Sequence, residues 1–228
     1  MTGFDAVSVR QALGRVHDRI SAAGGDGSVT ILAVTKGFGP EAIVAAIEAG
    51  CTSIGENYAQ ELVAKRDYLA RGTGSPAVHF IGQLQTNKVR QLVDLVDVFE
   101  TVDRLKLAKE IAKRAPGARV LIQVDTAGQS GKGGCPIGEL DELVDGVRQL
   151  GLDLQGLMTV GPTQGGAEAA RPGFRQVRQA VDRLGLTTCS MGMTGDLEVA
   201  VLEGTTEIRV GTALFGSRPV LAWRVQER

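Results

Sequence analysis

The sequence predicts an α/β protein built as a (β/α)8 TIM barrel, a closed ring of eight parallel strands. Two patterns carry this prediction: short apolar runs rich in β-branched residues alternate with longer segments of helical periodicity, and the short runs number about eight. The length of 228 residues suits one barrel domain, and no linker or shift in composition divides the chain. We therefore expect a single domain over residues 1–228.

The predicted strands are short and mostly end in a small or polar residue. They span residues 29–35, 52–55, 78–81, 98–101, 119–124, 154–158, 187–190 and 207–210. The second and fourth runs are about four residues long, so periodicity alone leaves strand and helix open for them.

Helical patterns fill the spaces between these runs, at residues 40–49, 58–70, 86–93, 104–115, 137–150, 165–184 and 197–203. Pro40 suits the first turn of the first of these helices, and Gly50 and Gly204 suit helix ends. Residues 5–23 predict an additional helix before the first strand, which we expect to cover the barrel floor. The glycine-rich segment 127–134 predicts either a solvated connection or a mobile loop.

Composition excludes several classes of protein. A formal net charge of −1 gives no electrostatic reason to expect nucleic acid or an anionic membrane as a partner. Cys51, Cys135 and Cys189 lack the spacing of a zinc site or a disulfide framework and predict buried thiols. The first 21 residues lack the apolar core of a signal peptide, and no run approaches the roughly 20 apolar residues of a membrane span. We expect a cytoplasmic protein that needs no metal.

Chemistry in this fold sits where the strands end, so the residues after each predicted strand are the candidate site. Lys36 directly follows the first strand, and Asn57 follows the second. The seventh strand leads into the segment 190–194, of sequence SMGMT, and the eighth carries Arg209 into Gly211 and Thr212. The loops after the last two strands of such barrels often bind phosphate through backbone N–H groups.

A phosphate site on one side of the mouth and a lysine on the other suit pyridoxal 5′-phosphate (PLP), which also needs a group facing its ring nitrogen. Each element has a plainer interpretation. Lys36 could be a surface lysine, Thr194 could cap a helix, and Arg209 could form an ion pair at a strand end. The barrel could also bind an ordinary phosphorylated metabolite, with Lys36 acting only through its charge.

Six strings of the sequence resemble the YggS/PROSC family of pyridoxal phosphate homeostasis proteins, in the order of that family and over nearly the whole chain. They are AVTK (33–36), GENYAQE (55–61), HFIGQLQTNK (79–88), GLM (156–158), SMGM (190–193) and RVGTALFG (209–216).

This resemblance implies a fold-type III PLP barrel, similar to the N-terminal domain of alanine racemase, with PLP held as a Schiff base on Lys36. It also implies the other contacts of the cofactor. Phosphate binding is implied for Ser190, Gly192, Gly211 and Thr212, a position facing the ring nitrogen for Arg209, and a position near the ring for Asn57. Met191, between Ser190 and Gly192, is also expected to contact the cofactor. Thr35 stands where serine is commoner, and the segment 37–40 departs from the usual Lys-Thr-Lys-Pro pattern.

The catalytic set looks incomplete beside this cofactor site. Racemases of this fold use a second base, a tyrosine from a following β-domain, and no such domain is predicted here. Tyr58 and Tyr68 predict surface or packing roles on a helix, and His17 and His79 predict structural roles.

The sequence therefore favours a protein of PLP (vitamin B6) homeostasis in which no residue is predicted to be catalytic, with PLP-dependent apoenzymes as candidate partners. A monomer is expected, and a weak dimer through an outer helix is the alternative. The alternative from the enzyme class is a small PLP-dependent racemase of the alanine racemase type, with water or a cysteine as the second base.

Overall fold

A computed structural model describes residues 5–69, 75–129 and 132–217. Its strands are β1 (Thr30–Val34), β2 (Ser53–Glu56), β3 (Ala77–Phe80), β4 (Val98–Val102), β5 (Arg119–Asp125), β6 (Cys135–Pro136), β7 (Asp153–Met158), β8 (Thr188–Ser190) and β9 (Glu207–Val210). All pairings are parallel, and eight strands form a closed ring in which β9 pairs with β1 and β5 pairs with both β4 and β7. The predicted barrel is thus confirmed.

The remaining strand, β6, has two residues and pairs with the end of β5 outside the ring. The sequence pattern did not predict it, since two residues carry no periodicity. It belongs to the loop after β5, of which Ser130 and Gly131 lie outside the described residues, as does Ala70 at the end of the predicted helix 58–70. The mobility predicted for the loop 127–134 therefore stays a prediction.

The helices alternate with the barrel strands. They are α1 (Ala6–Ala22), α2 (Pro40–Ala49), α3 (Ala59–Ala64), α4 (Val89–Leu92), α5 (Leu105–Arg114), α6 (Leu140–Gln149), α7 (Arg171–Arg183), α8 (Leu197–Leu202) and α9 (Thr212–Phe215). Short 3₁₀ turns shorten or precede four of the predicted helices, at Arg66–Tyr68, Thr86–Lys88, Ile137–Glu139 and Ala167–Ala170. Within the described residues, no helix combines the length and the apolar character that crossing a membrane requires.

The first helix lies in the outer ring, so the expectation that it covers the barrel floor is wrong. Its apolar face buries Val9, Ala12, Val16 and Ile20, and the helix packs against α2, α8 and α9. Of these neighbours, α9 is the four-residue helix that follows β9, so α1 covers the outer side of the ring where the last and first strands meet.

Side chains that alternate along the strands point either outward, toward the helices, or inward, toward the centre of the ring. Residues that face outward form one large apolar core with the helices, and this core contains the buried thiols of Cys51, Cys135 and Cys189, as predicted. Inside the ring, Val98, Leu121 and Met158 form a small apolar cluster of their own. Several other inward positions carry buried charged side chains, namely His79, Glu100, Glu207 and Arg209, which is unusual for buried strand residues and indicates that the interior does more than pack.

Candidate functional site

A cavity of about 600 Å³ opens at the carboxyl ends of the strands, where the fold places its chemistry. It brings together Lys36, Asn57, Arg209, Gly211 and Thr212, which the sequence predicts as site residues. The rest of its lining is Val34, Phe38, Tyr58, Ile81, Gly82, Gln83, Gln123, Lys132, Val160, Met193, Thr194 and Gly195.

Lys36 is half-buried on the wall of this cavity, two residues beyond the end of β1. The second lysine of the lining, Lys132, donates from Nζ to the carbonyl oxygen of Gly161 at 2.5 Å. A lysine held at a strand end by the barrel wall has a better-defined position than one on an exposed helix face. Lys36 is therefore the better placed of the two amines to react with a bound carbonyl compound.

Arg209 forms the floor of the cavity and is fixed by hydrogen bonds to its neighbours. Its Nη1 donates to the carbonyl oxygen and to Oγ of Ser190, both at 2.7 Å, and its Nη2 donates to the carbonyl oxygen of Thr159 at 2.6 Å. The side chain is almost completely buried yet still lines the cavity. A guanidinium has no acceptor and stays protonated, so it presents a fixed cation to any ligand.

Below Arg209, a buried charge network continues into the barrel. Ser190 donates from Oγ to Glu100 Oε2 at 2.8 Å, and Glu100 Oε1 lies 2.6 Å from Nδ1 of His79. Glu207 approaches the same imidazole at 3.8 Å. His79 is thus a hydrogen-bonded core residue, in agreement with the structural role predicted for it. The buried carboxylates of the network balance the positive charge of Arg209.

The environment shifts the pKa of each titratable member of this network. Burial together with the charge of Glu100 raises the pKa of Glu207 to about 7. Burial opposes the charged forms of His79 and Glu100, but their mutual hydrogen bond outweighs it, so the pKa of His79 is raised and that of Glu100 is lowered. The hydrogen bond therefore favours the imidazolium form of His79 and the carboxylate form of Glu100, and near neutral pH Glu207 holds a proton part of the time.

The Glu207→Gln variant should change how stability depends on pH. A carboxyl with a raised folded-state pKa keeps its proton in the native state while the unfolded chain loses it, so native stability falls as pH rises from about 4.5 to about 7. We expect the variant to gain about 1–3 kcal/mol relative to wild type between pH 5 and pH 8. Urea unfolding at the two pH values measures this difference.

Glu203→Gln is the control, because the pKa of that carboxylate is lowered, not raised, by hydrogen bonds with Arg175 and Arg171. It should show no comparable gain at high pH. Parallel stability curves for wild type and Glu207→Gln across this range would show that Glu207 is not protonated in the folded protein.

The segment that starts at Ser190 lies behind the cavity wall. The Ser190 hydroxyl is completely buried between Glu100 and Arg209, the Met191 side chain belongs to the outer core, and the carbonyl oxygen of Gly192 accepts the backbone N–H of Arg209 at 3.0 Å. Gly192 has a φ of 95°, which favours glycine. None of the three is part of the cavity lining, although the resemblance implies that Ser190 and Gly192 bind phosphate and that Met191 contacts the cofactor.

Two backbone segments do form a corner of the cavity. Thr194 and Gly195 lie beside Gly211 and Thr212, and the N–H of Ala213 donates to Thr194 Oγ1 at 3.3 Å. Thr194 is not the cap of the following helix, because Asp196 stands at that position. Small residues in two adjacent loops leave backbone groups close to the ligand space, which suits a phosphate.

Asn57 has a buried polar atom that indicates whether the cavity suits a polar ligand. Its Oδ1 is buried and has no hydrogen-bond partner among the described residues. Its backbone also passes close to Gly82: a Cβ atom there would lie 1.9 Å from the carbonyl oxygen of Asn57, so only glycine fits. A ligand with polar groups around a ring would complete this side of the cavity, and PLP has the phosphate, aldehyde and ring nitrogen that these walls suit.

Sequence reasoning missed several residues of the lining. Tyr58 was predicted as a surface or packing aromatic, but it stands at the cavity mouth with 51% of its surface exposed. Tyr68, with the same prediction, is exposed, as is His17. Gln83 follows β3 and Gln123 lies in β5, so their positions at strand ends are a signal that could have identified them.

Comparison with known proteins places this architecture in a family. The family model described as "Alanine racemase, N-terminal domain" matches residues 11–219. A relative from Pseudomonas aeruginosa, named "Pyridoxal phosphate homeostasis protein", is 37% identical over 222 aligned positions, and the match covers 93% of this chain and 95% of the relative. A relative from Escherichia coli with the same name is 39% identical over 225 residues and covers 90% of this chain and 95% of its own.

Solved structures agree. PipY of Synechococcus elongatus, described as having PLP bound, has a TM-score of 0.81 at 31% identity and covers 91% of this chain and all of its own. Alanine racemase from Bacillus anthracis has a TM-score of 0.70 at 16% identity, covering 95% of this chain and 57% of the racemase, which shows a shared fold. The chain therefore belongs to the alanine racemase N-terminal domain family and, within it, to the pyridoxal phosphate homeostasis proteins.

Proposed function

We propose that this protein binds PLP as a Schiff base on Lys36 and acts in intracellular PLP homeostasis. The observation that carries the proposal is one cavity whose walls supply an amine, a buried guanidinium and a corner of backbone groups, contributed by Lys36, Arg209 and the Gly211–Thr212 segment. The names of its relatives and the PLP-bound PipY structure support the same ligand.

Each wall has a proposed task. The Lys36 amine holds the cofactor covalently, and Asn57 orients the ring through its unpartnered amide oxygen. Gly211 and Thr212, with Thr194 and Gly195, surround the phosphate. Phosphate binding by Ser190 and Gly192 and cofactor contact by Met191 stay predictions from the resemblance, because their contacts in this structure support Arg209 and the core.

The proposed position of Arg209 opposite the ring nitrogen limits the chemistry. Bound PLP can stabilise a carbanion by drawing electrons into a protonated ring. A guanidinium donates hydrogen bonds and cannot accept a proton, so Arg209 favours the unprotonated ring nitrogen. Its position is locked by Ser190 and Thr159, so it cannot turn away to relieve this effect. These residues are better suited to holding PLP than to turning over an amino acid.

The racemase alternative gains one observation from the structure. Tyr58 lines the cavity mouth, where its hydroxyl could exchange protons with a ligand. However, the side chain is about half exposed, and the lining gives it no neighbouring carboxylate that would activate it. We therefore propose a carrier or regulator that works as a monomer in the cytoplasm and supplies PLP-dependent apoenzymes.

Transfer and turnover distinguish the two functions. PLP-loaded protein is mixed with an apoenzyme that needs PLP, and recovered activity is measured beside free PLP at the same concentration. We expect activity to return, and we expect racemisation of alanine by the loaded protein to stay far below the median enzyme rate of about 10 per second. Racemisation near that rate, abolished in Tyr58→Phe, would establish the enzyme instead.

A further inference from the structure

A second buried charge cluster lies on the outer side of the barrel wall, under α3. Lys65 follows that helix and is completely buried. Its Nζ lies 2.7 Å from Glu56 Oε1 and 3.8 Å from Glu61 Oε2. The same ammonium donates to the backbone carbonyl oxygen of Thr35 at 3.0 Å. This cation therefore joins two carboxylates to the residue that precedes Lys36.

The two carboxylates also bind the chain around Lys36. Glu56 Oε1 accepts the hydroxyl of Thr35 at 2.7 Å. Glu61 Oε2 accepts the backbone N–H of Gly37 at 2.9 Å. The residue before Lys36 is thus held through its hydroxyl and its carbonyl, and the residue after it is held through its N–H group.

Burying such a charged cluster is energetically less favourable than packing apolar side chains in the same space. Removing one ammonium and two carboxylates from water carries a desolvation penalty that apolar side chains of similar size would avoid. The neighbouring core between strands and helices is apolar, so packing does not require charges here. None of Glu56, Glu61 and Lys65 lines the cavity, so any role in ligand binding must act through the segment they hold.

We propose that Glu56, Glu61 and Lys65 are positioning residues, which clamp Thr35 and Gly37 and thereby fix the direction from which the Lys36 amine enters the cavity. The inference rests on the proposed function for the identity of the reactant. Covalent attachment joins the unprotonated amine to an aldehyde carbon and releases one water molecule. Because a misplacement of about 1 Å can cost about 100-fold in rate, a fixed backbone on both sides of a flexible lysine matters.

The test uses the hydroxyl of Thr35, since removing it loosens the clamp without burying an unpaired charge. Thr35→Val keeps the shape of the side chain but cannot donate to Glu56, whereas Thr35→Ser keeps the hydroxyl. Thr101→Val is the matched control, because Thr101 is buried in β4 and its hydroxyl has no partner among the described residues.

Two readouts are taken on all four proteins after thermal melts show that they are folded. The first is the rate at which added PLP becomes fixed to Lys36, and the second is the rate at which an acylating reagent labels Lys36 in the PLP-free protein, followed by mass spectrometry. We expect Thr35→Val to slow PLP attachment about tenfold and to change Lys36 labelling at least threefold, with Thr35→Ser and Thr101→Val within twofold of wild type.

Different outcomes contradict the proposed clamp and the proposed PLP-binding function. If Thr35→Val matches wild type in both readouts, or if Thr35→Ser is as impaired as Thr35→Val, the clamp is wrong. If wild type never fixes PLP, the proposed function fails, but labelling of Lys36 in the PLP-free proteins still decides whether the clamp positions the amine.

Discussion

Lys36→Ala is expected to lose all covalent attachment of PLP, the largest effect of any single substitution. The cavity contains a second lysine, but Lys132 donates to the carbonyl oxygen of Gly161, and no other lysine is part of the lining. The long-wavelength absorption of the lysine-bound cofactor should therefore disappear, and borohydride should fix no PLP to the protein. Affinity should fall by at least 100-fold, because only noncovalent contacts remain.

Lys132→Ala is the control for this prediction and should keep both the absorption band and the borohydride-fixed adduct. Lys36→Arg separates PLP from a phosphorylated metabolite, since it keeps the positive charge but cannot form the covalent bond. If Lys36 acted only through its charge, Lys36→Arg would bind PLP as well as wild type does, and wild type would show no such band.

Arg209→Met is expected to destabilise the protein by about 3–5 kcal/mol, because it removes one partner from a buried charge network. The variant removes the Arg209 donor from the carbonyl oxygen of Thr159 and one of two donors from that of Ser190, which keeps the backbone N–H of Thr159. It also deprives Glu100 of a nearby cation. It also removes the group proposed to face the ring nitrogen, so PLP affinity should fall. Urea unfolding measures the first effect, and absorption titration with PLP measures the second.

Arg183→Met is the matched control, since that guanidinium is about half exposed and pairs with Asp141 at the surface. The loss of this ion pair should lower the free energy of unfolding by less than about 1 kcal/mol and leave PLP binding unchanged. An Arg209→Met protein as stable as the control would mean that the buried network does not depend on its cation.

Much of the fold follows from sequence pattern because each strand of a parallel barrel is a short apolar run and each helix a longer periodic one. The position of α1 could not be predicted from the sequence pattern. Its apolar spacing shows that one face is buried, but it does not show that the face packs against α2, α8 and α9, which are distant in the sequence or adjacent only through the barrel.

The residues of the candidate site were likewise predictable from the sequence only in part. Lys36 and Arg209 could be predicted because a strand end fixes where a residue lies. The orientation of Ser190 could not, since a shift of one residue along a strand turns a side chain to the other face. The clamp of Glu56, Glu61 and Lys65 was also missed, because its members act on a segment about 20 residues earlier in the chain.

The most direct test of the central claim is peptide mapping of the wild-type protein after reduction of its PLP complex with borohydride. The structure predicts one PLP-modified peptide, with the modification on Lys36. A reduced adduct on Lys132 or on a surface lysine, or no adduct after the absorption band has formed, would contradict the assignment of Lys36 as the residue that holds the cofactor.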